Sequence, residues 1–212
     1  MRLISVMILV TLLVSASGAA GWKEYPQPQL GFVVEFPAEP AASTSTYRTT
    51  LVPSAPVHIY SVKEDHAVYV ASVIDLLDRK EEGAILLGEA ESFVTELGDV
   101  GSMSTSRVEP GRAAVYGRFI TLDCRSTHIP SGLGQTVESV RAWFRSVTGV
   151  ECPDRSRLMV NMFFNRGRLY MIHGLNLPSA DDTPSSPSAL RFANSISFFA
   201  ADGSRNFADT FK

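Results

Sequence analysis

Residues 30–36, Leu-Gly-Phe-Val-Val-Glu-Phe, put apolar side chains at Leu30, Phe32, Val34 and Phe36, with Val33 and Glu35 between them. A period of two is the pattern of a strand with one face buried. Prolines bracket it, Pro26 and Pro28 before and Pro37 and Pro40 after. Proline donates no ladder hydrogen bond and drives the residue before it away from helix, so the strand has fixed ends. Residues 22–25 have room only for a short edge strand. Positions 21–40 therefore commit this part of the chain to a sheet.

Ahead of that stretch the chain reads as an export signal. Met1-Arg2 is a minimal positive start, residues 3–14 are apolar except Ser5 and Thr11, and the small residues Ser15 to Ala20 follow. That is the tripartite layout of a secretory signal peptide over residues 1–20, with cleavage expected after Ala20. The apolar run falls short of the roughly 20 residues a membrane span needs. The expected location is periplasmic or secreted, with no stable span after cleavage. No Cys lies near the cleavage site, so no lipid attachment is expected there.

The remaining residues suit one domain, 21–201, followed by a polar C-terminal tail at 202–212. Losing Arg2 turns 19 Lys+Arg against 22 Asp+Glu into 18 against 22, a net charge of −4. Such a chain has no electrostatic reason to hold nucleic acid or an anionic membrane.

Residues 41–45 read as a small-residue loop, and 47–52 and 57–62 as strands around Pro53 and Pro56. The β-branched and aromatic run 68–76 reads as the central strand. Between 81 and 97 the period changes. Ile85, Leu86, Ala90, Phe93, Val94 and Leu97 recur at three and four residues, which predicts an amphipathic helix stopped near Gly98. A hairpin around Pro110-Gly111 follows, with arms 103–109 and 113–124. Residues 137–147 read as a short helix, with a strand as the rival. Residues 158–176 form a second hairpin whose Asn165-Arg166-Gly167 tip tolerates positive φ. A last helix opens at Pro187 or Ser188 and carries Leu190, Phe192, Ala193 and Ile196, with Phe198-Phe199 packing it on the sheet. The fold class expected from this order is α/β (α+β): a central antiparallel sheet of about six strands with helices on its faces.

Trp22, Gly31-Phe32 and Phe36-Pro37-x-x-Pro40 resemble the opening of bacterial exported proteins with a PsbP-like fold. That family is named for an extrinsic subunit of the photosynthetic oxygen-evolving complex, and a Ran-binding nuclear import factor shares its fold. Arg168-Leu169-Tyr170 and the 192–198 segment, Phe-Ala-Asn-Ser-Ile-Ser-Phe, extend the resemblance to the other end of the domain. It implies an α/β/α sandwich and an accessory or binding role, and it carries over no catalytic residue.

Two cysteines, Cys124 and Cys152, are the most specific pair in the chain. In an exported protein an even pair reads as a disulfide, and two ligands alone do not build a tetrahedral metal site. The bridge would close an insertion at 124–152. That insertion carries Trp143 between Arg141 and Arg145, residue types enriched at binding hot spots, and these three form the candidate binding surface. The competing reading has Trp143 capping the core. His58, His66, His128 and His173 make no metal motif. Gly132-Leu133-Gly134 lacks a third glycine and a preceding strand, so it is no dinucleotide loop. No Gly-x-Ser-x-Gly elbow occurs in residues 21–212. The sequence thus offers no catalytic, metal or cofactor residues. It favours a non-catalytic exported accessory or binding module over an enzyme, its partner being a protein or small apolar ligand of the cell envelope. The alternative is a small periplasmic hydrolase whose Ser, His and Asp assemble only in space. No oligomeric state follows from the pattern.

Overall fold

The computed structural model describes residues 21–109, 114–125, 137–178 and 187–200. The expected signal peptide (residues 1–20), the expected Pro110-Gly111 turn, His128, Gly132 and Gly134, and residues 202–212 lie outside the described residues.

The protein is α+β. Seven antiparallel strands form the central sheet: β3 (Ala41–Tyr47), β4 (Ala55–Lys63), β5 (Ala67–Asp75), β6 (Gly98–Val108), β7 (Val115–Cys124), β8 (Arg157–Asn165) and β9 (Arg168–Asn176). Their spatial order is β3-β4-β5-β9-β8-β7-β6. β3–β4, β4–β5, β6–β7 and β8–β9 pair as sequence neighbours, β7 and β8 pair across the segment that holds α2, and the β5–β9 ladder joins the two halves. A second sheet places β2 (Phe32–Phe36) between β1 (Lys23–Gln27) and β10 (Ser197–Phe198). Three α-helices complete the fold: α1 (Gly83–Thr95), α2 (Val137–Thr148) and α3 (Pro187–Ala193).

Alternation along the strands builds a core on each face. Ile59, Val70, Ile74, Val160, Met162 and Met171 face α1 and α2. Tyr60, Tyr69, Val73, Tyr170 and Ile172 face the small sheet and the α3 side chain Phe192. β5 and β9 are buried almost throughout, which is the central position expected for residues 68–76. Gly174 lets α3 lie directly on β9, because a Cβ there would collide with the Ala189 backbone. The β8–β9 turn places Arg166 and Gly167 at φ 51° and 79°, the left-handed pair that a tight hairpin requires.

Several elements differ from the sequence reading. Residues 41–45 are not a loop but the start of β3. Residues 41–44 of this edge strand are exposed on both faces and are Ala, Ser and Thr, so they have no apolar alternation to read. Residues 47–52 are not a strand beyond Tyr47. The Thr49 hydroxyl accepts from the Leu51 and Val52 amides at 3.1 and 2.8 Å, and this local turn removes the backbone from any ladder. The helix expected over 81–97 begins later, as α1, and Glu81 and Glu82 belong to a preceding 3₁₀ segment, Leu77–Glu82. Ile85 leaves the core stripe and is 55% exposed, whereas Leu86, Ala90 and Val94 share one i, i+4 line and are buried. Ile196 lies beyond α3, and Phe198 pairs with Phe32 across the β2–β10 ladder. Residues 137–147 are helix, which settles the rivalry with strand.

Candidate functional site

Cys124 ends β7 and Cys152 follows α2; they form a disulfide with Cα atoms 5.8 Å apart. Between them α2 places Val140, Trp143, Phe144 and Val147 at the three- and four-residue spacing that makes one buried face. That face packs over β3, β4 and β5. At the C-terminal end Gly149 takes φ 71° and its amide donates to the Arg145 carbonyl at 2.8 Å. The Thr148 hydroxyl donates to the Phe144 carbonyl at 2.7 Å. The buried Ser72 hydroxyl donates to the Val147 carbonyl, fastening the helix end to β5.

The three residues of the candidate surface separate here. Trp143 is only 8% exposed; it stacks on Phe93 at 4.7 Å and an interplanar angle of 16°, and its ring lies 5.6 Å from Tyr47. It caps the core over α1 and β3. Burial, together with the nearby Glu89 carboxylate, pushes the Tyr47 hydroxyl well above its ordinary pKa. Arg141 and Arg145, one helical turn apart, line a cavity of about 190 Å³ on the outer side of α2. Phe144 and Cys152-Pro153 form its apolar lining, and Glu138 and Glu151 complete it. Arg145 pairs with Glu151 at 2.6 Å and Arg141 approaches Asp154 at 3.6 Å. Within the expected insertion, residues 137–148 are thus a core-covering helix. Its outer face carries the two arginines beside the disulfide. The 3.6-residue period carried this information, because one face of an amphipathic helix must be buried.

The histidines divide as well. His173 lies in the middle of β9, opposite Val70 and Val160, with its ring edge-on to Phe144 at 5.5 Å. It is 1% exposed, and burial depresses its pKa to about 3, so it is neutral at physiological pH. His58 sits on β4 in a half-exposed position, its Nε2 3.3 Å from Asp75 Oδ2. The other carboxylate oxygen accepts from Arg168 Nε at 2.6 Å. This His58–Asp75–Arg168 row spans three adjacent strands, a juxtaposition that local sequence does not display. Next to it the Tyr170 hydroxyl donates to the Leu30 carbonyl at 2.8 Å, tying the central sheet to the small one. Burial raises the Tyr170 pKa to about 12, with Arg168 acting in the opposite direction.

The residues that carry the PsbP-like resemblance converge between the two sheets. Phe36 and Phe192 ring centroids are 4.9 Å apart, as are those of Tyr170 and Phe198, and Trp22 lies 5.3 Å from Tyr69. Among the described residues no group of three or more His, Cys, Asp or Glu could hold a metal ion, and no helix is long and apolar enough to cross a membrane. No protein-family model, curated protein or solved structure matches the chain.

Proposed function

We propose that this is an exported accessory module of the PsbP-like kind, which binds a partner of the cell envelope through the outer face of α2 and performs no chemistry. The observation that carries this reading is the cavity beside the disulfide. There Arg141 and Arg145 are held by a rigid, core-packed helix next to the apolar surface of Phe144 and Pro153. Arginine beside a fixed apolar wall is a recognition surface, since the guanidinium stays charged and supplies several donors in a set geometry. A disulfide holding one rim suits an oxidising compartment.

The test uses wild-type protein and an Arg141→Glu/Arg145→Glu variant, both changes lying outside the core, as baits for envelope extract. An envelope component held by wild type and lost by the variant supports the reading. Equal capture by both removes this face from recognition.

A hydrolase remains the second reading, favoured by the His58–Asp75 contact on the sheet surface. It requires that His58→Gln abolish an ester or amide hydrolysis that the wild-type protein performs.

A further inference from the structure

The two edges of the central sheet are built differently. β6 carries the charges Asp99 and Arg107 and a register shift between Val100 and Ser102. Charge and bulge are the devices that keep an edge strand from pairing with another chain. β3 has neither. Residues 41–47 contain no charge and no proline, and their ladder with β4 runs without a break from Ala41↔Ser61 to Tyr47↔Ala55. Ala41 to Thr44 and Thr46 are exposed, and no described strand lies on the outer side of β3. The charges lie just beyond its two ends and are opposite in sign. Glu39 and Arg48 are both exposed, and neither forms an ion pair among the described residues.

We propose that β3 is a self-association edge, and that two copies of this chain pair β3 to β3, antiparallel, into one continuous sheet. A two-fold axis perpendicular to a sheet keeps each face on its own side. Residues then pair only in registers centred on a residue. Among these, the register centred on Thr44 alone pairs all seven strand residues. It sets Thr44 against Thr44 of the second copy, Ser43 against Ser45, Ala42 against Thr46, and Ala41 against Tyr47. Cross-strand hydroxyl pairs of this kind are favourable, and no like charges meet. The same register puts Arg48 opposite Pro40 of the second copy, one residue from Glu39. Each end of the paired strands therefore brings Glu39 of one copy near Arg48 of the other, opposite charges on opposite faces of the sheet, so no like charges meet. An extended strand from a different protein gains the ladder but not this matched pair of ends, which is why the second copy is the occupant.

The experiment measures mass by sedimentation across a concentration series, on the protein as isolated from its producing cell. The expected result is a concentration-dependent dimer. Thr44→Lys places two ammonium groups on the axis and should weaken the dimer at least tenfold. Glu39→Lys should weaken it less, and Glu39→Lys/Arg48→Glu should restore it. Near-UV circular dichroism confirms that each variant is folded. Register is read independently by oxidation. Thr44→Cys should give a disulfide-linked dimer, since its mate lies directly opposite. Ala42→Cys should not, because its own copy sits four residues along the strand, beyond the reach of a disulfide. A chain that stays monomeric throughout, a dimer indifferent to Thr44→Lys and to charge exchange, or equal cross-linking at 42 and 44 would each overturn the proposal. A monomer that captures a foreign extended peptide on β3 would overturn it too.

Discussion

Acidification should unfold this protein through one residue in particular. His173 lies under α2, walled by Val70, Val160 and Phe144, none of which carries charge. Its pKa falls from an ordinary 6.5 to about 3 because burial opposes the charged ring. The sign follows from linkage. Below pH 6.5 the unfolded chain takes up a proton that the folded chain refuses, so the unfolded state gains. The contribution is complete above pH 6.5 and is lost as pH falls towards 3, at about 1.4 kcal/mol per unit. At pH 5.5 the loss is roughly 1.4 kcal/mol and at pH 4.5 roughly 2.7 kcal/mol. Against a typical total of about 5–15 kcal/mol, that is a large share. Carboxylates titrate in the same window, so the measurement is a difference. Urea unfolding of wild type and His173→Leu, at pH 7.5, 5.5 and 4.5, gives two stability curves. Leu is close to His in volume and does not titrate, so between pH 7.5 and 4.5 wild type should lose about 2.7 kcal/mol more than His173→Leu. Parallel curves would show that His173 is protonated in the fold, and the burial reasoning would fail.

Trp143→Ala should cost about 3–5 kcal/mol in thermal or denaturant unfolding, whereas Arg145→Ala, whose ion pair is exposed, should stay within about 0.5 kcal/mol of wild type. Replacing both Cys124 and Cys152 by Ser releases a closure of 28 residues and should lower stability by roughly 3.6 kcal/mol on chain entropy. Because α2 covers β3 to β5, hydrogen exchange should rise in α2 and β3 together; faster exchange confined to the surface of 137–148 would contradict the packing. Tyr170→Phe leaves the Leu30 carbonyl without its donor and should cost about 1–2 kcal/mol, measured by the shift of the urea midpoint.

What the sequence made legible is whatever buries a regular face. The Leu86, Ala90, Val94 line of α1, the Asn-x-Gly hairpin between β8 and β9, and the doubly buried β5 all advertise themselves through apolar spacing or turn chemistry. The cysteine pair reads as a bridge only through the compartment expected from residues 1–20. The failures share one cause as well. β3 is exposed on both faces over residues 41–44 and β10 is two residues long, so neither has room for a periodic signal. Spacing alone admits Ile85 to the core, yet it is exposed and the neighbouring line at 86, 90 and 94 is buried. The site divided for the same reason. Trp143 and Arg145 are adjacent in composition but lie on opposite sides of α2, and helical phase separates a core cap from a surface cation.

The aromatic layer between the sheets bears on where function lies. β2 is flanked by β1 from one end of the domain and β10 from the other, so the small sheet closes only when both ends are in place. Phe36, Phe192 and Phe198 are buried at this closure, and Trp22 joins it from the rim, with the Arg191 guanidinium 4.8 Å over its ring. Every residue in this set is engaged by another member of the layer or by the sheet beneath it. Motifs that read as a family opening and a family ending are therefore one structural joint, and substitutions there act on stability before they act on any partner. On the proposed reading, recognition comes from surfaces the joint leaves free. The described residues offer two with distinct chemistry. The outer face of α2 presents fixed cations beside an apolar wall, and the β3 edge presents backbone hydrogen-bonding groups between opposite charges. α2 packs on β3 as well as on β4 and β5, whereas its arginine cavity is rimmed by Cys152, bonded to Cys124 on β7. Pairing through β3 would bring two α2 helices towards one axis, so a dimer would present both arginine faces together. Thr44→Lys, which touches no arginine, should then weaken partner capture as well as self-association. Capture that survives in the monomeric variant would show that the two surfaces act independently.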